Sequence, residues 1–382
     1  MIPSTTDVAI VGAGPVGMAA ACALAARDIE VTLLDAAAAG SPTSRATLVH
    51  PRTLEVLTRI DATPRMLEEG LRCPDFSIRD RDRVLLPLSF AGLDTTFPFA
   101  LAIPQNRTEA ILADRLTELG VAIHRPLEVL GLTQDPSGVD LALDDGRSLR
   151  ARYVLGADGM HSRVREAIGV GFGTDDAAGT HGFALGDVRI DGGLPQRESC
   201  IYFGDTGVLV MVPLPDGTFR LVADVGEAPE TPDAAYLQAL LSERGPQAEA
   251  VTIKEVLWGS RFRIHHRVAD RFAVGRVALA GDAGHVHSPA GGQGMNLGLR
   301  DALSAADALT AAIGGDEFAV ERYGAQRRPR AVSVVRFTRR LTRLATVDPR
   351  VRPARNLAIA GLARVPAVRR KIVHTLAGLN DQ

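Results

Sequence analysis

The sequence predicts an α/β protein in which a Rossmann-like dinucleotide-binding domain, a parallel sheet carrying a β-meander, is interleaved with a sheet-rich second domain and followed by C-terminal helices. Three observations carry this prediction. Three glycine-rich segments, Gly12 to Gly17, Asp158 to Arg165 and Gly281 to Gly294, lie far apart in the chain, and each follows a short apolar run of strand composition. Each leads into a helical stretch. Between the second and third segments, the pattern changes to longer alternating runs typical of antiparallel sheet.

The first segment is a strand, a tight turn and a helix. Val8 to Val11 is apolar and bounded by glycine, and Met18 to Ala26 is a small-residue helix with Pro15 where a first turn tolerates it. Gly12 allows the sharp turn, Gly14 leaves room for a pyrophosphate, and Gly17 lets helix and strand pack closely. Unpaired N–H groups at the helix start face the phosphates. The strand Val31 to Leu34 ends at Asp35, spaced to accept hydrogen bonds from an adenosine ribose. This motif alone does not distinguish one dinucleotide from another.

The second and third segments extend the site. Asp-Gly is a common turn signal, found at Asp145, Asp158, Asp191 and Asp216, but only Asp158 both follows a buried-looking strand, Tyr153 to Gly156, and precedes a helical stretch with Ser162, Arg163 and Arg165. An aspartate and an arginine there can fix the loop and turn a guanidinium toward phosphate. The alternative is a turn that only caps a helix. Val277 to Ala280 forms the third strand, and Asp282 at its end is placed to accept from a polyol hydroxyl. Gly291, Gly292 and Gly294 let backbone amides approach a flat ligand beside Met295, and Asn296 suits the cap of a helix running to about Ala312. Asn106 with Glu109 reads as a capping box for a helix with an apolar face at Leu112, Leu116 and Leu119.

The chain leaves and re-enters the dinucleotide domain. Residues 1–75, 100–180 and 262–330 are assigned to that domain, 76–99 and 181–261 to the sheet domain, and 331–382 to a basic helical tail. The expected sheet strands are Phe183 to Ile190, Cys200 to Phe203, Val208 to Pro213, Thr218 to Val225 and Val251 to Phe262, interrupted by a helix near Pro232 to Ser242. The 382 residues, 46% hydrophobic, suffice for a large core. A net charge of −2 points to no nucleic-acid partner, and no leader or bilayer-length apolar run is found, so a cytoplasmic protein, monomer or homodimer, is expected. Cys22, Cys73 and Cys200 are isolated, which argues against a disulfide framework or zinc site. Residues 327 to 371 hold fourteen basic side chains against the single acid Asp348, read as helices whose arginine faces meet water or the acidic body.

As a set, the three segments resemble the single-component FAD monooxygenases of the para-hydroxybenzoate hydroxylase type, over residues 7 to 340. Ser44-Arg45-Ala46, Arg52-Thr53-Leu54-Glu55 and Pro104-Gln105-Asn106-Arg107-Thr108-Glu109 agree with it. The resemblance implies bound FAD, with Arg45 and Gln105 contacting the flavin or its ribityl chain, Asp282 the ribityl hydroxyls, and Asp158 and Arg165 steadying the pyrophosphate and the approach of the nicotinamide donor. The thioredoxin-like domain common in that family is not expected here. The resemblance further implies NAD(P)H and O2 as co-substrates, a flavin C4a-hydroperoxide, and a phenolic or polycyclic aromatic substrate. A helix start at Gly291 to Asn296 would favour the anionic reduced flavin.

Pro289 with its glycines is the expected wall of the substrate pocket, with Tyr202, Phe203, Met211 and Trp258 as candidates on the sheet side. Tyr202 or Arg220 could recognise an anionic substituent, and no substrate-activating base is identifiable. Asp282, His285 and His287 invite a metal reading, but the flavin already uses that loop, so no metal is expected. Two alternatives stay open: a related flavoenzyme such as a halogenase or reductase, and an FAD protein that sequesters an aromatic ligand without turnover. A halogenase of this fold would carry a Trp-x-Trp-x-Ile-Pro stretch, and this chain has only Trp258.

Overall fold

A computed structural model describes residues 2–40, 44, 46–173, 182–204, 206–263, 265–289, 291–345 and 347–380. Its parallel sheet runs, in spatial order, through Val277–Leu279, Ser148–Gly156, Thr5–Val11, Val31–Leu34 and Ile123–His124. The registers are what position the site. Val11 pairs with both Gly156 and Leu34, and Gly156 pairs with Leu279. All three glycine-rich segments therefore leave the sheet side by side at its carboxyl edge, where open α/β sheets bind ligands. Backbone bonds continue across that edge: Gly12 N donates to Leu34 O, Ala157 N to Val11 O, and Ala280 N to Gly156 O.

The expected meander is present, as Val129–Asp135 and Gly138–Leu143 pair antiparallel with each other and with Ser148–Gly156. The helices Pro15–Ala25, Gln105–Glu118 and Gln293–Ile313 cover the parallel sheet, burying Ile10, Leu33, Leu112 and Leu303 at 2% exposure or less. Burying each such side chain contributes roughly 1.5–3 kcal/mol. Two helix starts differ from expectation. Gln105–Glu118 is capped by Pro104 without a side-chain bond, and Gln105 Nε2 donates to Glu109 Oε1, so Asn106 makes no capping box. Gln293–Ile313 begins at Gly292, in the left-handed region, which places Asn296 inside the first turn instead of at the cap.

The second sheet contains Thr252–Arg263, Gly182–Asp191, Phe219–Val225, Gly207–Pro213, Glu198–Gly204, Asp75–Asp80 and Arg83–Ser89 in that order. The early hairpin joins through a parallel pairing of Asp75–Asp80 with Glu198–Gly204. Both faces of this sheet are apolar. One packs on the helix Ala234–Arg244 through Tyr202, Leu209, Met211 and Leu221. The other carries Leu185, Ile201, Val210, Val212 and Val222 toward the first domain.

The C-terminal helices Ala319–Ala345, Arg352–Leu362 and Pro366–Ala377 are packed more deeply than their charge suggests. Ile359, Val373 and Leu376 join Phe76, Leu88 and Phe203 in one buried cluster. Arg327 and Arg355 are buried too, at 3% and 7% exposure, the latter with its guanidinium 4.8 Å from the Phe203 ring centre. The boundary expected at 330 falls inside a continuous helix.

Candidate active site

The glycine turn is built as its chemistry requires. Gly12 has φ +103°, and a Cβ there would lie 2.3 Å from Ala157 O. A Cβ on Gly17 would lie 1.8 Å from Gly12 O, so only glycine lets helix and turn approach. Gly14, the cap of the helix Pro15–Ala25, faces open space. Asp35 closes this end: Oδ2 accepts from Ala13 N at 2.6 Å and Oδ1 from Ala37 N at 2.8 Å. Its carboxylate therefore orders the turn, and the remaining lone pairs are what it can offer a ribose.

Behind the turn, Asp158 Oδ2 accepts from Val164 N, while Oδ1 is buried with no hydrogen-bond partner among the described residues. Burial raises this carboxyl above its ordinary range, against the pull of Ser162 and the Val164 amide. Arg165 is not turned toward a ligand. Its guanidinium donates to Ala283 O at 2.9 Å and Met160 O at 3.0 Å, and stacks 3.9 Å from the Phe172 ring centre. It joins the second glycine segment to the third.

The third segment rests on a buried charge cluster. Asp301 Oδ1 accepts from Arg327 Nε at 2.6 Å, and Oδ2 faces His285 Nε2 at 2.6 Å and Gly281 N at 3.3 Å. Burial would raise the Asp301 carboxyl, but Arg327 and His285 outweigh it and hold it below its ordinary range. His285 is thus absorbed by this cluster, and no group of metal-ligating residues occurs among the described residues. Gly281 turns with φ +62°, which projects the exposed Asp282 into the cleft.

A cavity of about 490 Å3 runs from Gly14 and Pro15, past Gln105 and Asp282, along Pro289, Gly291, Gly292, Gly294 and Met295, to the open face of the second sheet. Two histidines border it. His50 Nε2 lies 2.8 Å from Gly291 O, and because a carbonyl only accepts, Nε2 carries the proton. His287 Nδ1 likewise donates to Ser288 O. Burial lowers both rings to about 4, so the cavity wall is uncharged there at neutral pH. Asn296 locks the loop: Nδ2 donates to Leu48 O and Gly292 O, and Oδ1 accepts from His50 N.

On the sheet side, the structure corrects the expected residues. Tyr202 and Met211 point to the opposite face, 1% exposed against the helix Ala234–Arg244. Their neighbours Ile201, Val210 and Val212 line the cavity instead. Arg220 borders the cavity but has no donor left for a substrate anion. Nε and Nη2 bind Asp187 at 2.7 Å each, Nη1 binds Thr47 Oγ1 and Ala46 O, and Nη2 also reaches Ser44 Oγ. All five guanidinium protons are thereby used to fasten the sheet to the Ser44–Thr47 loop. Trp258 lies against this clamp, 5.5 Å from the Arg220 guanidinium. Arg45 lies outside the described residues. His50, Asp187 and Leu376 went unnoticed in the sequence, since a lone histidine, aspartate or leucine there carries no local signal, and His287 drew attention only as a metal ligand, not as a neutral cavity wall.

Residues 5–338 match the FAD binding domain family. The chain belongs to the para-hydroxybenzoate hydroxylase-type FAD-dependent aromatic monooxygenases. It is 34% identical to 6-methylpretetramide 4-monooxygenase of Streptomyces rimosus, over 98% of this chain and 69% of that protein. Rifampicin monooxygenase of Streptomyces venezuelae is 33% identical over 98% of this chain and 79% of its own. Among solved structures, p-nitrophenol 4-monooxygenase from Pseudomonas putida matches with a TM-score of 0.85, 27% identity and 99% of both chains. The residues present in this enzyme fit FAD: Gly14 opens a cradle a side chain would fill, the exposed Asp282 lines the cleft, and a helix start faces the cavity at Gly292. No helix among the described residues is long and apolar enough to cross a membrane.

Proposed function

We propose that the enzyme uses NAD(P)H and O2 to hydroxylate a phenolic or polycyclic aromatic compound. The observation that supports this most is the continuity of the cavity, which joins the glycine turn of a dinucleotide site to an apolar sheet face without an intervening wall. Gly12, Gly14 and Gly17, with the amides opening the helix Pro15–Ala25, hold the pyrophosphate, and Asp35 meets the ribose. Gln105, Arg45 and Asp282 attend the ribityl chain. Asp158 and Arg165 brace the turn from behind, as their hydrogen bonds to Val164, Met160 and Ala283 imply.

FAD, when bound, supplies the acceptance of a hydride from NAD(P)H and the activation of oxygen. One oxygen atom enters the aromatic ring and the other leaves as water. The chain's own residues set the conditions for that step. The Gly291–Met295 backbone, at the start of a 21-residue helix, presents N–H groups and partial positive charge to the edge where negative charge collects on reduction. Pro289, Ile201, Val210, Val212 and Val222 exclude water and hold the target ring. Neutral His50 and His287 keep that wall uncharged.

The test is NADH and NADPH oxidation with oxygen uptake by the FAD-loaded enzyme across a panel of phenols and polycyclic aromatics under 18O2. The reading requires ligand-stimulated consumption and a product carrying one labelled oxygen. Ligands that bind and leave consumption at its basal rate would overturn it.

A further inference from the structure

Beside the main cavity, across Pro289 and Gly291, lies a second space of about 50 Å3, an annex. Phe76, Ile201, Val210, Pro289 and Leu376 line both spaces, so the annex adjoins the reaction cavity. Its far wall is Phe337, Leu341 and Ile372, contributed by the helices Ala319–Ala345 and Pro366–Ala377. Gly291 is on the shared wall, where a Cβ would lie 3.1 Å from Leu376 Cδ2 and 3.9 Å from Leu341 Cδ1.

The polar groups that reach the annex are engaged by the protein. Thr342 Oγ1 donates to Ser288 Oγ at 2.9 Å. Asp224 Oδ1 accepts from Val208 N and pairs with Arg244. What remains facing the space is hydrocarbon. Protein interiors ordinarily close such gaps, because the lining atoms forgo dispersion contacts across an empty space. A chamber that is apolar, adjoins the reaction cavity and has a glycine on the shared wall has the form of a subsite for a carbon substituent.

We infer that the aromatic substrate carries an apolar arm which passes Gly291 into this annex, where Leu341, Phe337 and Ile372 read its length. At about 10–15 Å3 for each water-sized group, the space takes roughly three or four carbons. The inference rests on the hydroxylase reading for the place of the ring, and adds that the C-terminal helices select the substituent.

The experiment is titration calorimetry of the FAD-loaded enzyme with phenol and with 3- and 4-n-alkylphenols from methyl to hexyl, alongside NAD(P)H oxidation. Affinity should tighten about fourfold per methylene for the first three or four carbons and then level off. Leu341→Phe, which fills the annex, should end the gain after one or two carbons and leave phenol binding within about twofold. Phe337→Ala, which enlarges it, should move the plateau to longer chains. If wild type and both variants show the same length dependence, or none shows any while compact phenols still stimulate oxidation, the inference is wrong and the hydroxylase reading stands. If no phenol of any length binds or stimulates oxidation, both are overturned.

Discussion

Replacing Arg327 with methionine removes one partner from a carboxylate that has almost no access to water. The Arg327 and Asp301 side chains are 3% and 0% exposed, with Nε and Oδ1 2.6 Å apart. Truncating one member of a buried pair costs about 3–5 kcal/mol when the other charge is left without a partner, and because His285 and Gly281 N still face Asp301 Oδ2, the cost here should fall toward the lower end of that range. Against a typical total of about 5–15 kcal/mol, that is a large share of the stability. Because Asp301 Oδ2 also faces Gly281 N, the variant should loosen the turn that carries Asp282 and lose FAD more readily. The pH dependence follows from the direction of the shift. In the wild type, Asp301 is held below its ordinary value of 3.8, so its contribution is full above that value and is lost as pH falls through the lower folded one. Without Arg327, burial gains weight and the contribution shrinks or reverses, so the deficit of the variant grows from acid toward neutral pH. Urea unfolding at pH 4.5, 6 and 7.5, with flavin release measured in parallel, reads all of this. Arg327→Met/Asp301→Asn removes the stranded charge and should be less destabilised than the sum of the single variants. A deficit below about 1 kcal/mol for Arg327→Met, or strict additivity of the two, would refute the account.

Three other outcomes are expected. Gly17→Ala places a methyl group 1.8 Å from Gly12 O and should yield folded protein with little or no flavin, checked by the absorbance ratio after purification; full flavin content would show that the turn does not hold the cofactor. Asp282→Ala should also purify flavin-poor, with a raised FAD dissociation constant by fluorescence titration, and a fully yellow protein would remove Asp282 from the site. His50 and His287 are held neutral down to about 4 against an ordinary 6.5, so the unfolded chain takes up protons first. Stability should therefore fall as pH drops from about 6.5 to about 4, by up to about 3 kcal/mol for each ring, and His50→Gln and His287→Asn should each flatten that slope in urea unfolding.

What the chain determined without tertiary context is whatever a few consecutive residues decide. A positive φ at Gly12, the close approach at Gly17 and an acid at the tip of Val31–Leu34 are requirements of local backbone geometry, and only particular residue types satisfy them. Alternation likewise marked strands now seen at Gly182–Asp191, Gly207–Pro213 and Phe219–Val225. Alternation defines two faces without saying which one looks onto the cavity. Both are apolar here, and it is the helix Ala234–Arg244 that takes Tyr202 and Met211 and leaves Ile201 and Val210 to the site. Arg220 and Arg165 looked available to an anion because charge is visible in a sequence and partners are not; Asp187, Ala283 and Met160 engage them from distant segments. The basic tail was read as helices whose arginine faces meet water or the acidic body for the same reason. Its net charge is a sum over side chains, whereas Leu376, Leu341 and Phe337 reach the cavity only because three helices fold back over the sheet and bury one side of each. Turn chemistry and strand period are properties of neighbours along the chain; the choice of face, the partner of a charge and the closure of a cavity depend on which layer arrives from elsewhere, and only the packed structure decides them.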